Sequence, residues 1–408
     1  TFGFAGGNTT GSGVTPGLVI PKELIENNPK VVKDIERFYG YKPGTLKPTD
    51  IKDPKLIAAI QKAADEDPNH WFHISPECQR CARPDTRPVG ERLANPKAAL
   101  EKSDMDDAKA IIRIVEEAEP PVVTLENHPS YGSKTYLNKA DGSEFQPIDE
   151  ITEALEGKGY AVDIKVFNAV DYGGASSRRR MILRAVKKED LVVDGVARPF
   201  DEVYPMPDKT GPSDWWDTLK PLMDETTDHP ITAKLEKELG DLLRAGRFNN
   251  GVAPTADAPI IYMGHSLVKY NKQGVAISNG GAKGAGATLG KPTAAPTLTR
   301  GDRVAAIMWQ DANGAWVKKK LSNNMMKRLM GLGDEFPLEA GMKYGDAADL
   351  LGNGMDGSTT QAGIESLLRA RLKQFPSRAG AVPPGGAGVP PPRPPAGAAP
   401  GGAGAPPP

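Results

Sequence analysis

The chain has 408 residues, of which 38% are hydrophobic and 25% are charged, with a net charge of −1; this composition is typical of two or three folded globular units. Its only two cysteines, Cys78 and Cys81, exclude a disulfide scaffold, a four-cysteine zinc site and an all-cysteine iron–sulfur cluster. We find no secretory signal and no apolar run near the roughly 20 residues of a membrane span, so we expect a cytoplasmic protein with no membrane partner. The five histidines form neither an HExxH pattern nor a zinc-finger spacing with the cysteine pair, so we expect no metal.

The first half of the chain alternates between helical and strand patterns. Residues 105–118 place apolar residues on one helical face, and two prolines then end the helix. Val122–Leu125 is a short apolar strand, and residues 161–168 and 181–183 are further predicted strands. Repeated strands and helices predict an α/β fold with a mainly parallel sheet, in which functional residues gather at the carboxyl ends of the strands.

The second half has a different composition. Residues 187–300 are rich in Gly, Pro, Asn, Thr and Lys, with short strands such as 260–263, which indicates a smaller, loop-rich domain inserted into the first. Helical patterns return near 325–332 and 362–372, and the final residues are almost wholly Pro, Gly and Ala, a composition that favours disorder. We therefore predict a sheet domain formed by 1–186 and 317–375, an inserted region at 187–316 and a disordered tail at 376–408.

The nearly neutral net charge conceals a basic segment. Residues 242–328 contain 13 Lys and Arg against three Asp, which leaves this segment at about +10 and the rest of the chain at about −11. A basic segment in an acidic chain is the charge pattern of nucleic-acid binding, since cations neutralise phosphates. The alternative is an ordinary solvated surface.

Two segments near the start of the chain have the residue types of a ligand loop and of a nucleophile. Phe4-Ala5-Gly6-Gly7 pairs a short strand with glycines, which let backbone approach a ligand closely, although many such loops are only turns. Cys78 lies in Ser75-Pro76-Glu77-Cys78-Gln79-Arg80, where nearby positive charge favours the reactive thiolate. A buried inert cysteine and a redox or metal pair with Cys81 are the alternatives.

Two further segments place charged side chains beside predicted strands. Glu126 follows the apolar strand and is a candidate general acid, or else a helix cap or a surface acid. Arg178 and Arg180 precede the strand at 181–183, and strand alternation puts both on one face. Paired guanidinium groups suit a carbonyl oxygen, a carboxylate or phosphates, whereas the alternative is a solvated basic turn.

The order of these segments resembles the cytosine-5 DNA methyltransferase family, especially its bacteriophage and bacterial members, up to about Phe375. The segments that carry the resemblance are, in chain order, FAGG, Glu26, Asp50-Ile51, SPECQ, LENHP, DYGGASSRRR, APTLTR and GNGM. The resemblance implies a class I S-adenosylmethionine-dependent methyltransferase with a Rossmann-like α/β sheet and a smaller, loop-rich target-recognition domain. Three departures from the family pattern stand out: Glu77 replaces a proline, Ser176 stands where glutamine is usual, and Gly354-Met355 replaces the commoner small residue followed by valine.

The resemblance also implies roles for individual residues. The residues that match cofactor-binding positions are Phe4, Ala5, Gly6, Gly7, Glu26, Asp50, Ile51 and Asn353. The residues that match catalytic positions are the nucleophile Cys78, the acid Glu126, and the arginines Arg178 and Arg180.

The implied reaction transfers a methyl group from S-adenosylmethionine to C5 of a flipped-out cytosine in duplex DNA, through a covalent cysteine adduct at C6. We expect a monomer in a bacterial or phage-infected cell, active in DNA methylation or in a restriction–modification system. Two alternatives remain open, namely a tRNA cytosine-5 methyltransferase and a catalytically inactive DNA-binding relic.

Overall fold

The computed structural model describes part of the chain. The described residues are 33, 44, 53–66, 69–76, 102–133, 135–137, 143–244, 252–263, 269–270, 276–278, 295, 297–298, 305–333, 336, 338, 341–354 and 356–375. The predicted disordered tail therefore lies outside the described residues.

Helices and strands alternate through the first part of the described chain. The helices are α1 (Pro54–Glu66), α2 (Lys102–Ala118), α3 (Pro147–Gly157), α4 (Phe200–Val203), α5 (Trp215–Leu219), α6 (Ala233–Arg244), α7 (Asn323–Leu329), α8 (Tyr344–Asn353), α9 (Gly357–Thr360) and α10 (Ser366–Gln374). The strands are β1 (Trp71–Ile74), β2 (Val122–Asn127), β3 (Tyr136–Leu137), β4 (Glu144–Phe145), β5 (Tyr160–Asn168), β6 (Arg179–Lys187), β7 (Val192–Val193), β8 (Val196–Ala197), β9 (Thr227–Asp228), β10 (Ile260–Met263), β11 (Lys269–Tyr270), β12 (Ala276–Ser278), β13 (Ala305–Gln310) and β14 (Trp316–Lys320).

The central sheet has the strand order β1-β2-β6-β5. Strands β1 and β2 are parallel, while β6 is antiparallel to both β2 and β5. Three of the four described strands therefore share one direction, as predicted, and β6 alone runs against them. The reason is the short connection 169–178 between β5 and β6, because a parallel pair needs a crossover of about a dozen residues or more.

Both faces of this sheet are covered, which explains why β2 is buried at every position. On one face, residues of α1, α2 and α3 form a core with β1, β2 and β6 that includes Ile60, Ile111 and Leu155. On the other face, the residues after α9 pack Ile364 and Leu367 against Phe167 of β5. Apolar packing on both faces thus fixes the positions of the strand ends.

A second, antiparallel sheet has the order β10-β13-β14-β9. The predicted strand at 260–263 is confirmed as β10, and the domain boundary predicted at 316/317 falls at the start of β14. Helices α5, α7 and α8 share a core with this sheet, and α6 packs on it through Leu239.

A short backbone bridge joins Ala295 to the residues immediately before β6. The Ala295 N–H donates to the Ala175 carbonyl at 2.7 Å, and the Ser177 N–H donates to the Ala295 carbonyl at 2.8 Å. Part of the basic segment 242–328 therefore pairs with the residues immediately before β6.

Gly357, the first residue of α9, packs closely against the backbone of Gly331. A Cβ added to Gly357 would lie 2.4 Å from the Gly331 carbonyl oxygen, which belongs to backbone and cannot rotate away. We expect Gly357→Ala to lower the free energy of unfolding by about 1–3 kcal/mol, measured by urea denaturation.

The matched control is Gly157→Ala at the end of α3, where an added Cβ meets no atom within 4 Å. Alanine there should leave stability unchanged or raise it by up to about 1 kcal/mol. Equal effects of the two substitutions would contradict the packing described for α9.

Candidate active site at the carboxyl end of strand β2

Three chain segments meet at one edge of the central sheet. Strands β1 and β2 are parallel, so Ser75, just after β1, lies at the same edge as Glu126 and Asn127 at the end of β2. Strand β6 is antiparallel to β2, so it begins at this edge, with Met181 opposite Asn127. The fold therefore brings together residues that are about fifty positions apart in sequence.

Glu126 is held by contacts to both of its carboxylate oxygens. Its side chain is only 7% exposed, and its Oε1 lies 2.7 Å from Nε of Arg180, whose side chain is 8% exposed. The Ser75 hydroxyl donates to Oε2 at 2.8 Å. The carboxylate is thus fixed in one orientation by a buried charge-assisted contact and by a neutral hydroxyl.

Asn127 connects the end of β2 to the segment that leads to Cys78. Its side-chain amide donates to the Pro76 carbonyl at 3.1 Å, and its Oδ1 accepts from the His128 N–H at 2.7 Å. Cys78 and Glu77 lie outside the described residues, so the position of the predicted nucleophile stays a prediction. The two residues of its motif that the structure describes, Ser75 and Pro76, both contact the end of β2.

Arg178 and Arg180 are both buried, but they bind different groups. Arg178 is 1% exposed and its Nη1 donates to the Leu298 carbonyl at 3.0 Å. Its Nη2 donates to the carbonyls of Gly352 at 2.7 Å and Gly354 at 2.6 Å. The structure therefore brings Arg180 to Glu126, and it brings Arg178 to the backbone on either side of Asn353.

The predicted cofactor residues are mostly outside the described part of the chain. This holds for Phe4, Ala5, Gly6, Gly7, Glu26, Asp50 and Ile51. Asn353 is described only in its backbone, where it is the last residue of α8. Its neighbours bind Arg178, so the fold brings the backbone of this one cofactor candidate close to the start of β6.

Two residues near this edge of the sheet were not predicted to be functional from the sequence. Ser75 was part of a motif but had no assigned contact, since only the fold pairs it with Glu126. Asp356 is fully buried and caps α9 by accepting from the Ser358 N–H at 2.9 Å, a role that an Asp before a helix signals in sequence. Burial raises the pKa of Asp356 to about 6, although the charges of Arg178 and Arg180 lower it.

The basic segment is partly used inside the fold. Lys318 is buried beside the Tyr262 ring, Lys319 pairs with Asp228 at 2.7 Å, and Lys327 donates to the Phe336 carbonyl. Other basic residues of the segment lie where side chains are not described, among them Arg247, Lys269, Lys272, Lys283, Lys291, Arg300 and Arg303.

Among the described residues, no group of His, Cys, Asp and Glu is arranged to hold a metal ion. No helix within the described ranges is long and apolar enough to cross a membrane.

Glu126 is thus a buried acid at the end of β2 that contacts Ser75 after β1 and Arg180 of β6, and comparison with known proteins identifies the family of the chain. The family model for C-5 cytosine-specific DNA methylases matches residues 101–367, well over half of the chain. The chain therefore belongs to this family, whose members use S-adenosylmethionine. The matched range includes Glu126, Arg178, Arg180 and Asn353, and it begins after Cys78.

A solved structure with a TM-score above 0.5 supports the fold. An E. coli prophage-encoded protein named as a DNA modification methyltransferase is 17% identical, with a TM-score of 0.51 over 92% of this chain and 96% of that one. The Dnmt2 methyltransferase of S. pombe is 13% identical, with a TM-score of 0.48 over 86% and 92% of the two chains. A comparison with curated proteins finds no match. The predicted class I methyltransferase fold is confirmed.

The buried Asp356 predicts a pH-dependent stability. Its pKa is higher in the folded protein, about 6, than the ordinary 3.8, so the folded state binds more protons between these values. The free energy of unfolding should therefore fall as pH rises from about 4 to about 6, by at most about 3 kcal/mol from this residue. Asp356→Asn keeps a capping side chain and removes the charge.

We expect Asp356→Asn to be more stable than the wild type at pH 8 and closer to it at pH 4.5, in denaturant unfolding at both pH values. Asp349→Asn, on the partly exposed side of α8, is the control for a general charge effect. A stability difference between Asp356→Asn and the wild type that does not change with pH would contradict the assignment.

Proposed function

We propose that the protein is an S-adenosylmethionine-dependent DNA (cytosine-5-)-methyltransferase that acts on a cytosine flipped out of duplex DNA. The observation that carries this proposal is the buried Glu126–Arg180 pair at the carboxyl end of β2, in a chain of the C-5 cytosine-specific DNA methylase family. A carboxylate and a guanidinium side by side offer hydrogen-bond partners to a pyrimidine edge with adjacent ring nitrogen and carbonyl groups.

The chemistry requires that C5 of cytosine, a poor nucleophile, be activated. In the proposed reaction the Cys78 thiolate adds to C6, which makes C5 a carbanion equivalent. Glu126 hydrogen-bonds or protonates N3, and Arg180 donates towards the ring carbonyl, so that both stabilise the charge that develops on the ring. Once C5 has taken the methyl group, which would leave S-adenosylhomocysteine, loss of the C5 proton and elimination of the thiolate release the methylated base and regenerate Cys78.

Bound S-adenosylmethionine would supply an electrophilic methyl group on its sulfonium. The residues that would hold it are the predicted cofactor set, with Asn353 beside the start of β6. One observation fits a ligand there: Asp356, three residues after Asn353, has a buried Oδ2 with no hydrogen-bond partner among the described residues. An unsatisfied buried acceptor is costly, and a ligand that donates hydrogen bonds would relieve that cost.

Ser75 gives Glu126 a partner in either protonation state. A hydroxyl donates to the ionised carboxylate and, after rotation, accepts from the protonated acid, whereas Arg180 only donates. Oε2, which faces Ser75, is therefore the oxygen suited to hold a proton, and Oε1 is suited to remain an acceptor for Arg180.

The remaining parts of the proposal concern partners and organisation. We propose residues 187–316 as the target-recognition region, 1–186 and 317–375 as the catalytic domain, and a monomer that acts in the cytoplasm. Phosphate contacts would come from those Lys and Arg side chains of 242–328 that do not pair with other groups of the protein. Extrusion of the base costs a few kcal/mol, which these contacts must offset.

The experiment that tests the function measures methyl transfer from radiolabelled S-adenosylmethionine to mixed-sequence duplex DNA, with transfer RNA as a parallel substrate, followed by nucleoside mass analysis. We expect 5-methylcytosine in DNA and a covalent adduct on an oligonucleotide that carries 5-fluorocytosine. Cys78→Ser should abolish both signals, while the matched variant Cys81→Ser should retain them. Methylation of RNA alone, or loss of activity in Cys81→Ser and not in Cys78→Ser, would contradict the proposal.

Substitution of Ser75 tests how Glu126 is held. Ser75→Ala removes the hydrogen bond to a charged group, worth about 1.5–3 kcal/mol, so we expect kcat to fall by about 10- to 100-fold. Ser75→Thr keeps a hydroxyl and should recover most of the activity. Ser133→Ala, at an exposed hydroxyl in the turn after β2, should have no effect on kcat. Equal losses in the alanine and threonine variants would show that the hydroxyl is not the cause.

A further inference from the structure

We infer that Arg178 is a positioning residue, which fixes the backbone around Asn353 and so shapes the cofactor side of the site, while Arg180 is the arginine that contacts the base. This inference deepens the proposed function and rests on it. It departs from the family resemblance, which gives both arginines a catalytic role.

The contacts of Arg178 leave its terminal nitrogens directed at backbone. Nη1 binds the Leu298 carbonyl, and Nη2 binds the carbonyls of Gly352 and Gly354. With 1% of its surface exposed, this side chain is almost completely enclosed by protein. Arg180 also donates from Nη1 to a backbone carbonyl, that of Arg179 at 2.8 Å, but it differs because its Nε meets the carboxylate of Glu126, the group assigned to the base.

The position of the two glycines explains what Arg178 stabilises. Gly352 lies in the last turn of α8 and Gly354 follows its end, where the final carbonyls of a helix lack partners within the helix. A cation near a helix C-terminus is favourable because it binds these carbonyls and complements the helix dipole. Arg178 therefore acts as a capping side chain for α8, supplied from a different part of the chain.

The same side chain also fixes a second segment. Leu298 follows Thr297, whose hydroxyl donates to the Ser177 carbonyl, and Ala295 pairs with the backbone at 175–177. One guanidinium thus joins the start of β6, the backbone at Leu298 within the basic segment, and the backbone on either side of Asn353. Movement of any one of these would break a contact to Arg178.

The test separates cofactor affinity from turnover. S-adenosylhomocysteine, the product form of the cofactor, is titrated calorimetrically into wild type, Arg178→Lys and Arg180→Lys, and kcat is measured at saturating cofactor. We expect Arg178→Lys to weaken binding by about tenfold or more, because an ammonium group cannot reproduce the planar fork, with kcat reduced by less than about threefold. Arg180→Lys should lower kcat by about 100-fold and leave affinity within about twofold.

The control for general destabilisation is Arg371→Lys in α10. Arg371 is also buried and hydrogen-bonds the Asp190 carboxylate, away from the site. The Arg371→Lys substitution should lower the unfolding temperature but leave the affinity for S-adenosylhomocysteine unchanged. Thermal unfolding of every variant, with and without S-adenosylhomocysteine, reports folding separately from binding.

The outcomes are distinct. Failure of the wild type to bind S-adenosylhomocysteine would overturn the proposed function itself. Unchanged affinity in a folded Arg178→Lys variant, with a collapse of kcat, would overturn the inference and restore a catalytic role for Arg178. If Arg178→Lys does not fold, Arg178→Gln is measured in its place. If neither folds while Arg371→Lys does, Arg178 is a general stabilising residue and the inference is wrong.

Discussion

The buried contact between Glu126 and Arg180 is the constraint on which the arrangement of the site depends. Placing a carboxylate out of water is costly unless a partner and hydrogen bonds compensate it. Arg180 supplies the opposite charge and Ser75 supplies the second hydrogen bond. These partners come from β6 and from the residue after β1, so the pair forms only when both strands flank β2. The reversed direction of β6 is therefore a structural requirement, since it brings the start of that strand to the end of β2.

The sequence was sufficient for features that depend on local pattern. The apolar run at 122–125 predicted a buried strand, and the structure extends it to Asn127, which includes the two polar residues at its end. The sequence also placed Arg178 and Arg180 on one side of a strand, and both are buried. Their different partners were beyond local pattern, because Leu298, Gly352 and Gly354 are more than a hundred residues away in the chain.

The count of Lys and Arg in the basic segment overestimates the positive charge at its surface. A count of Lys and Arg treats each as a surface cation, but Lys318 is 8% exposed and burial lowers its pKa. Lys319 is neutralised by Asp228, and Lys327 is buried against a backbone carbonyl. Long aliphatic side chains bury readily once their charge is satisfied, which the sequence does not reveal. The excess of about +10 is therefore an upper limit on the charge that this segment presents to phosphates.

The electrostatics of the site favour a neutral buried cluster. Arg178 and Arg180 bring two positive charges into the interior, where Glu126 balances one by direct contact and Asp356 opposes the pair at longer range. Burial dominates at Asp356, because its pKa is raised even though two guanidinium groups favour its ionised form. In the proposed reaction, addition of the Cys78 thiolate to C6 would place negative charge on the ring, next to Arg180, before C5 takes the methyl group. An arginine already fixed by Glu126 can stabilise that charge without moving, so the cost of reorganisation is met when the protein folds.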